Sequence, residues 1–173
     1  MTDYGDAVYM NAKRITLLGI FTTIALTIFM IESALPALVP IPGVKLGLAN
    51  IVTLFVLVRH NTKDAATVLL ARIILASIFA GQMVSFIYSS CGGFLCLLVM
   101  TLSNKMLSGK FVYITSVLGA MSHNAGQILA AYFVLGMSGI FAYVPFLMIS
   151  GIITGLFTGL VCHFSLRHIP KFS

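Results

Sequence analysis

Arg72 stands inside an unbroken apolar run, Leu69-Leu70-Ala71-Arg72-Ile73-Ile74-Leu75. A guanidinium at bilayer mid-depth costs at least ~2.5 kcal/mol on insertion scales unless it faces a protein interior and is paired. Three kinds of chemistry are open to it: a hydrogen-bonded network, a site for an anionic or amphipathic ligand, or a proton relay. Asn50, His123, Asn124 and Gln127 are equally out of place in their segments, and Gln127 lies one helical turn beyond His123 on the same face. Counting 1.5 Å per residue from the cytoplasmic ends of their segments puts Arg72 about 12 Å deep, Asn50 about 14 Å and His123 about 16 Å. They form one layer. A polar group in hydrocarbon must find a partner, so the layer clusters in the bundle centre whether or not a ligand binds there.

Glu32 is the only acidic residue read as lying inside a membrane span, close to its outer end, and Lys45 is its expected partner. Both flank the segment Leu35 to Lys45, which contains Pro36, Pro40 and Pro42. The expectation is a salt bridge holding this segment as an outer lid; direct ligand contact and a solvated interfacial carboxylate are the alternatives. Gly151, Gly155 and Gly159 recur every four residues and let another backbone approach closely, within the chain or from a partner. Gly19, Thr23 and Thr27 form a weaker stripe of the same kind. Ser89, Ser90, Gly92 and Gly93 suit either a tight helix crossing or loose packing with room for a ligand. Cys91, Cys96 and Cys162 lie in apolar segments without metal-ligand spacing and read as buried thiols. His60, His163 and His168 read as interfacial histidines.

Other chemistries are excluded by what the chain lacks. There is no G-x-x-x-x-G-K-[ST] phosphate loop, no D-x-x-x-D pair for Mg²⁺-diphosphate chemistry, no nucleophile elbow and no H-E-x-x-H. No metal site, no cofactor and no catalytic activity are therefore expected. Hydrophobic residues make up 60% of the 173 and charged residues only 8%, with a mean hydropathy of +1.08; water-soluble domains carry about 25% charged residues. The chain reads as a single transmembrane domain, residues 1–173. The net charge of +6 comes from basic residues scattered between apolar segments, which is a membrane-topology pattern and not a nucleic-acid surface.

The elements that must position the polar layer are six apolar segments, at about 14–35, 44–59, 64–80, 83–104, 111–136 and 141–166. The expected fold is all-α, a six-transmembrane-helix bundle. The first, fourth, fifth and sixth segments reach the roughly 20 residues a span requires, and the second is the shortest. With both termini cytoplasmic, Lys13, Arg14, Arg59, Lys63, Lys105, Lys110, Arg167 and Lys171 lie inside, against Lys45 alone outside. That asymmetry sets the expected orientation. The polar N-terminus, with Asp3 and Asp6, is unlike a cleavable signal peptide.

The runs Pro42-Gly43-Val44-Lys45-Leu46-Gly47-Leu48-Ala49-Asn50 and Ser122-His123-Asn124-Ala125-Gly126-Gln127 carry a resemblance that covers the chain from about Lys13 to Arg167. The chain resembles the substrate-binding S components of energy-coupling factor (ECF) transporters. More narrowly, it is similar to the group called Gx transporters or heptaprenyl diphosphate synthase component I. The resemblance implies a bacterial plasma-membrane protein that captures a vitamin-like or cofactor-precursor molecule in an outward-opening cavity and works with an ECF T component and two ATPases. The polar layer of Asn50, Arg72, His123, Asn124 and Gln127 is the expected floor of such a ligand cavity, with Glu32 and Lys45 anchoring its lid, and the resemblance implies T-component docking on the first helix, where Gly19 and Thr23 replace an A-x-x-x-A pattern. Flavin-like, quinone-precursor and isoprenoid ligands remain open. A membrane protein of isoprenoid or prenyl diphosphate metabolism is the alternative, although the chain lacks the paired carboxylates of soluble prenyl synthases.

Overall fold

The computed structural model describes residues 2–34, 45–81, 83–107, 109–136 and 138–169. Over these residues the chain forms α1 (Thr2–Ala34), α2 (Asn50–Arg59), α3 (Thr62–Ala80), α4 (Met83–Met106), α5 (Val112–Leu135) and α6 (Val144–His168), with a 3-10 turn, Ser138–Tyr143, leading into α6. No strand occurs among the described residues. The all-α expectation holds. The largest differences are at two boundaries: α1 begins at Thr2, so the polar N-terminal stretch continues the apolar helix, and α2 begins at Asn50, six residues later than expected.

Local chemistry sets the helix ends. Asn61 caps α3, its side-chain oxygen accepting the Asp64 N–H at 2.9 Å while its amide donates to Asp64 Oδ2 at 2.9 Å. Gly81 and Gly136 end α3 and α5 in the left-handed region, at φ 62° and 64°, which costs a residue without Cβ little.

The exterior is apolar and the interior carries the polar groups. Ile74, Ile78, Phe79, Phe94, Phe133, Ile153 and Phe157 all face outward, while Glu32, Asn50, Arg72, His123, Asn124 and Gln127 are buried. In water so large an apolar surface would drive association; against lipid it costs nothing. Three stretches are long and apolar enough to cross a membrane, Ala12–Ala34, Met83–Met106 and Gly139–His168. This is a membrane protein. The expected fifth span has the length, at 24 residues, but not the apolar composition, because His123, Asn124 and Gln127 interrupt it. Lys63, Asp64 and Arg72 do the same to α3.

Packing explains why those two helices tolerate polar residues. α5 lies between α4 and α6, in close contact with both, and α2 touches each of the other five helices. Seven of the ten residues of α2 are buried. Its shortness follows from that central position: α2 is wrapped by its neighbours and has little lipid-facing surface to match to the bilayer. α1 packs on α2 and α3, with no contact to α6.

The glycines settle how closely the helices approach. A Cβ at Gly155 would lie 2.6 Å from Val117 Cα, and one at Gly159 would lie 3.1 Å from Tyr113 Cα. Gly151 likewise sits over the Met121 backbone. The stripe on α6 is therefore filled by α5, which decides for packing within the chain over docking of a partner there. Gly126 meets the backbone of Cys91 and Gly92, and Gly93 meets Ile73 and Leu69, so the small residues of α4 serve tight crossings on two sides. Cys96 and Cys162 are buried, but Cys91 is exposed on the outer surface of α4, contrary to its reading as a buried thiol.

Candidate functional site

Glu32 is the keystone at one end of the bundle. Its carboxylate accepts the Gly47 N–H at 2.7 Å through Oε1 and the Leu48 N–H at 3.0 Å through Oε2. Gly47 adopts φ 79°, and the Leu48-Ala49 turn follows before α2 begins. The carboxylate thus pins the turn that leads into α2, whose first N–H groups, those of Asn50, Ile51 and Val52, donate to the Gly47, Leu48 and Ala49 carbonyls. The expected Glu32–Lys45 salt bridge does not form. Lys45 instead donates from Nζ to Ser33 Oγ at 2.5 Å and places the ammonium 3.5 Å from the centre of the Phe29 ring. The remainder of the expected lid, residues 35–44, lies outside the described residues.

The segment Lys45 to Gly47 brings the polar layer together. The Lys45 N–H donates to Gln127 Oε1 at 3.3 Å. A Cβ at Gly47 would lie 2.7 Å from His123 Cδ2 and 2.9 Å from Asn50 Nδ2, so only a glycine lets the chain pass so close to both side chains. On its other side the His123 ring lies against Gly92, whose Cβ would come within 2.9 Å of Nδ1. The imidazole is clamped between α4 and the start of α2. Arg72 donates from Nη2 to Asn50 Oδ1 at 3.4 Å, a long bond, and its guanidinium carbon lies 5.8 Å from the Phe29 ring centre. Among the described residues no carboxylate lies within 4.0 Å of Arg72.

Four of the five expected ligand residues, Asn50, Arg72, His123 and Gln127, thus gather around one segment. Asn124 does not join them. It is turned about a quarter of the helix away from His123 and donates to the Leu147 carbonyl of α6 at 2.6 Å, beside Gly151, as a tie between α5 and α6. Gly19 has no heavy atom within 4 Å of a hypothetical Cβ, and Thr23 is exposed with its hydroxyl returned to the Gly19 carbonyl at 3.0 Å. That face of α1 is open.

Residues 21–165 match the model of the family described as heptaprenyl diphosphate synthase component I. The chain belongs to that family. No curated protein and no solved structure matches it.

In this heptaprenyl diphosphate synthase component I family member, the residues missed from sequence are those whose backbone or ring does the work. Gly47 and Gly92 form the His123 slot, and Phe29 lies beside both cations. The Gly47 position was legible in part, since a glycine between a proline-rich stretch and a helix signals a turn. Phe29 looked like any apolar residue. A second feature is a cleft of about 210 Å³ between α1, α2 and α6, lined by Ile24, Ile28, Val52, Phe55, Val161 and Ile169 among others. Ile169, at the α6 end of this lining, accepts at its carbonyl from Arg59 Nη2 at 2.6 Å.

Proposed function

We propose that this protein is the substrate-capture component of an ECF-type uptake transporter, binding a small cofactor precursor at the layer formed by Asn50, Arg72, His123 and Gln127. The observation that carries this reading is the buried polar cluster itself: a guanidinium, an imidazole and two amides at the centre of an apolar bundle, with donor atoms that the fold leaves unpartnered. A cluster kept only for stability would be expected to satisfy its own groups. The segment anchored by Glu32, Lys45 to Leu48, supplies an entrance that opens by releasing two hydrogen bonds from backbone N–H groups to that carboxylate. The protein acts as a binding module without catalysis, in the bacterial plasma membrane, its six helices spanning with both termini inside. That orientation is supported by the clustering of Arg14, Arg59, Lys63, Arg167 and their neighbours at one end of the bundle, where Arg14 pairs with Asp64. The open face of α1 around Gly19 and Thr23 suits a T component, which would recruit two ATPases.

Purification of the tagged chain from its own membrane, followed by identification of co-purifying polypeptides and small molecules, tests this reading. A T component, its ATPases and a bound small molecule are expected. Recovery of a prenyl synthase subunit without any bound small molecule would replace it by the second reading, a membrane component of prenyl diphosphate metabolism. The family's name and the apolar cleft between α1, α2 and α6 favour that alternative.

A further inference from the structure

The hydrogen-bond inventory around Arg72 specifies the chemistry of the missing partner. Asn50 Oδ1 is taken by Arg72, and Gln127 Oε1 is taken by the Lys45 N–H. These bonds fix which way each amide points and leave Asn50 Nδ2 and Gln127 Nε2 as buried N–H donors without an acceptor. Arg72 Nε is a third. Arg72, Asn50 and Gln127 are 2%, 5% and 0% exposed, so bulk solvent does not reach them. The charges are unbalanced in the same sense. Glu32 spends both carboxylate oxygens on the Gly47 and Leu48 N–H groups, and the two cations nearest it, Arg72 and Lys45, share a single carboxylate. The cluster is one negative charge and several acceptor atoms short.

From this we infer that the site takes a ligand bearing a carboxylate, whose two oxygens accept from Arg72 Nε and from the Asn50 and Gln127 amides. The inference rests on the capture reading above and adds the ligand's chemical class. A carboxylate fits better than a phosphate because one negative charge neutralises the excess, whereas a phosphate near neutral pH carries between one and a half and two. A planar, two-oxygen acceptor also suits the edge of a guanidinium.

The test measures thermal unfolding of the purified protein in nanodiscs with acetate, acetamide or phosphate at matched ionic strength. Acetate should raise Tm by ~2 °C or more, acetamide and phosphate should not, and Arg72→Gln should abolish the acetate shift. Asn50→Asp places a carboxylate beside Arg72 and should raise Tm without any added anion while removing the response to acetate. This second variant keeps the test decisive if Arg72→Gln does not fold. No acetate shift, an equal shift with acetamide, a larger one with phosphate, or a lowered Tm for Asn50→Asp would each overturn the carboxylate. Co-purification of a neutral small molecule together with a T component would overturn it too, while leaving the capture reading in place. An acetate shift that depends on Arg72, in a protein that recovers neither partner nor ligand from its membrane, would remove the capture reading and leave the anion site.

Discussion

The α4–α5–α6 side of the molecule and the junction where α1, α2 and α3 meet α5 are built on different principles. On the first side glycines bring backbones together; Ser116 and Thr158 share a hydrogen bond at 2.8 Å and Asn124 reaches the Leu147 carbonyl, while the unpartnered hydroxyls there, Ser85, Tyr88 and Thr101, are uncharged and spread along α4. At the junction the contacts are made by long side chains, Glu32, Lys45, Arg72 and Phe29, and the unpartnered atoms belong to one group, Asn50, Arg72, His123 and Gln127. In a membrane, where lipid competes with protein for every apolar contact, close backbone packing is what rigidifies a helix pair. A region held by side chains and by one carboxylate can open without dismantling the rest. The difference separates a scaffold from a receptive site.

Mutations should divide along the same line. Gly126→Val gives the largest effect, because its side chain meets the Cys91 and Gly92 backbone, with the first carbon already 2.8 Å from the Cys91 carbonyl oxygen. It should cost about 3 kcal/mol or more, at the upper end of overpacking, seen as loss of the monodisperse peak in size-exclusion chromatography or a large fall in Tm. A mild effect would mean that α4 and α5 are not the rigid pair. Glu32→Ala strands two N–H groups at a cost of about 2–3 kcal/mol, and hydrogen exchange should rise at Gly47 and Leu48 while the α5–α6 amides stay protected. Uniformly raised exchange would erase the distinction between the two regions.

Gly47→Ala is subtler. Its Cβ would press on His123, and its positive φ disfavours any side chain, together about 1–2 kcal/mol; the readout is a changed His123 ring resonance with α6 unaffected. The smallest effect is expected for Arg14→Ala, at the basic end far from both regions. Arg14 is 54% exposed but Asp64, with which it pairs, is only 5% exposed, so its loss should cost about 1 kcal/mol, the Asn61 amide still donating to the Asp64 carboxylate. Orientation is checked separately with single cysteines in a chain lacking Cys91, Cys96 and Cys162. A membrane-impermeant thiol reagent added outside should label Gly139→Cys and spare Lys110→Cys.

The amino-acid sequence determined that the chain lives in a membrane, that it is helical, and which residues are buried polar groups, because hydropathy and helical period act locally and survive in any arrangement of the helices. Arg72, Asn50 and His123 fell in one layer by counting rise per residue alone, and in the structure Arg72 bonds Asn50 directly while Gly47 lies against both Asn50 and His123. The partner of Glu32 was decided by tertiary structure. A carboxylate near an ammonium in sequence pairs with it only if no better donors are in reach, and two adjacent backbone N–H groups at the entry to α2 were. The direction of Asn124 was decided in the same way, by the Leu147 carbonyl that α6 brings beside it. So was the place of α2, whose ten residues make a poor span when counted along the chain and a central one once five helices surround them. Composition constrains which groups must be satisfied, and only the packing of distant segments chooses which neighbour satisfies them.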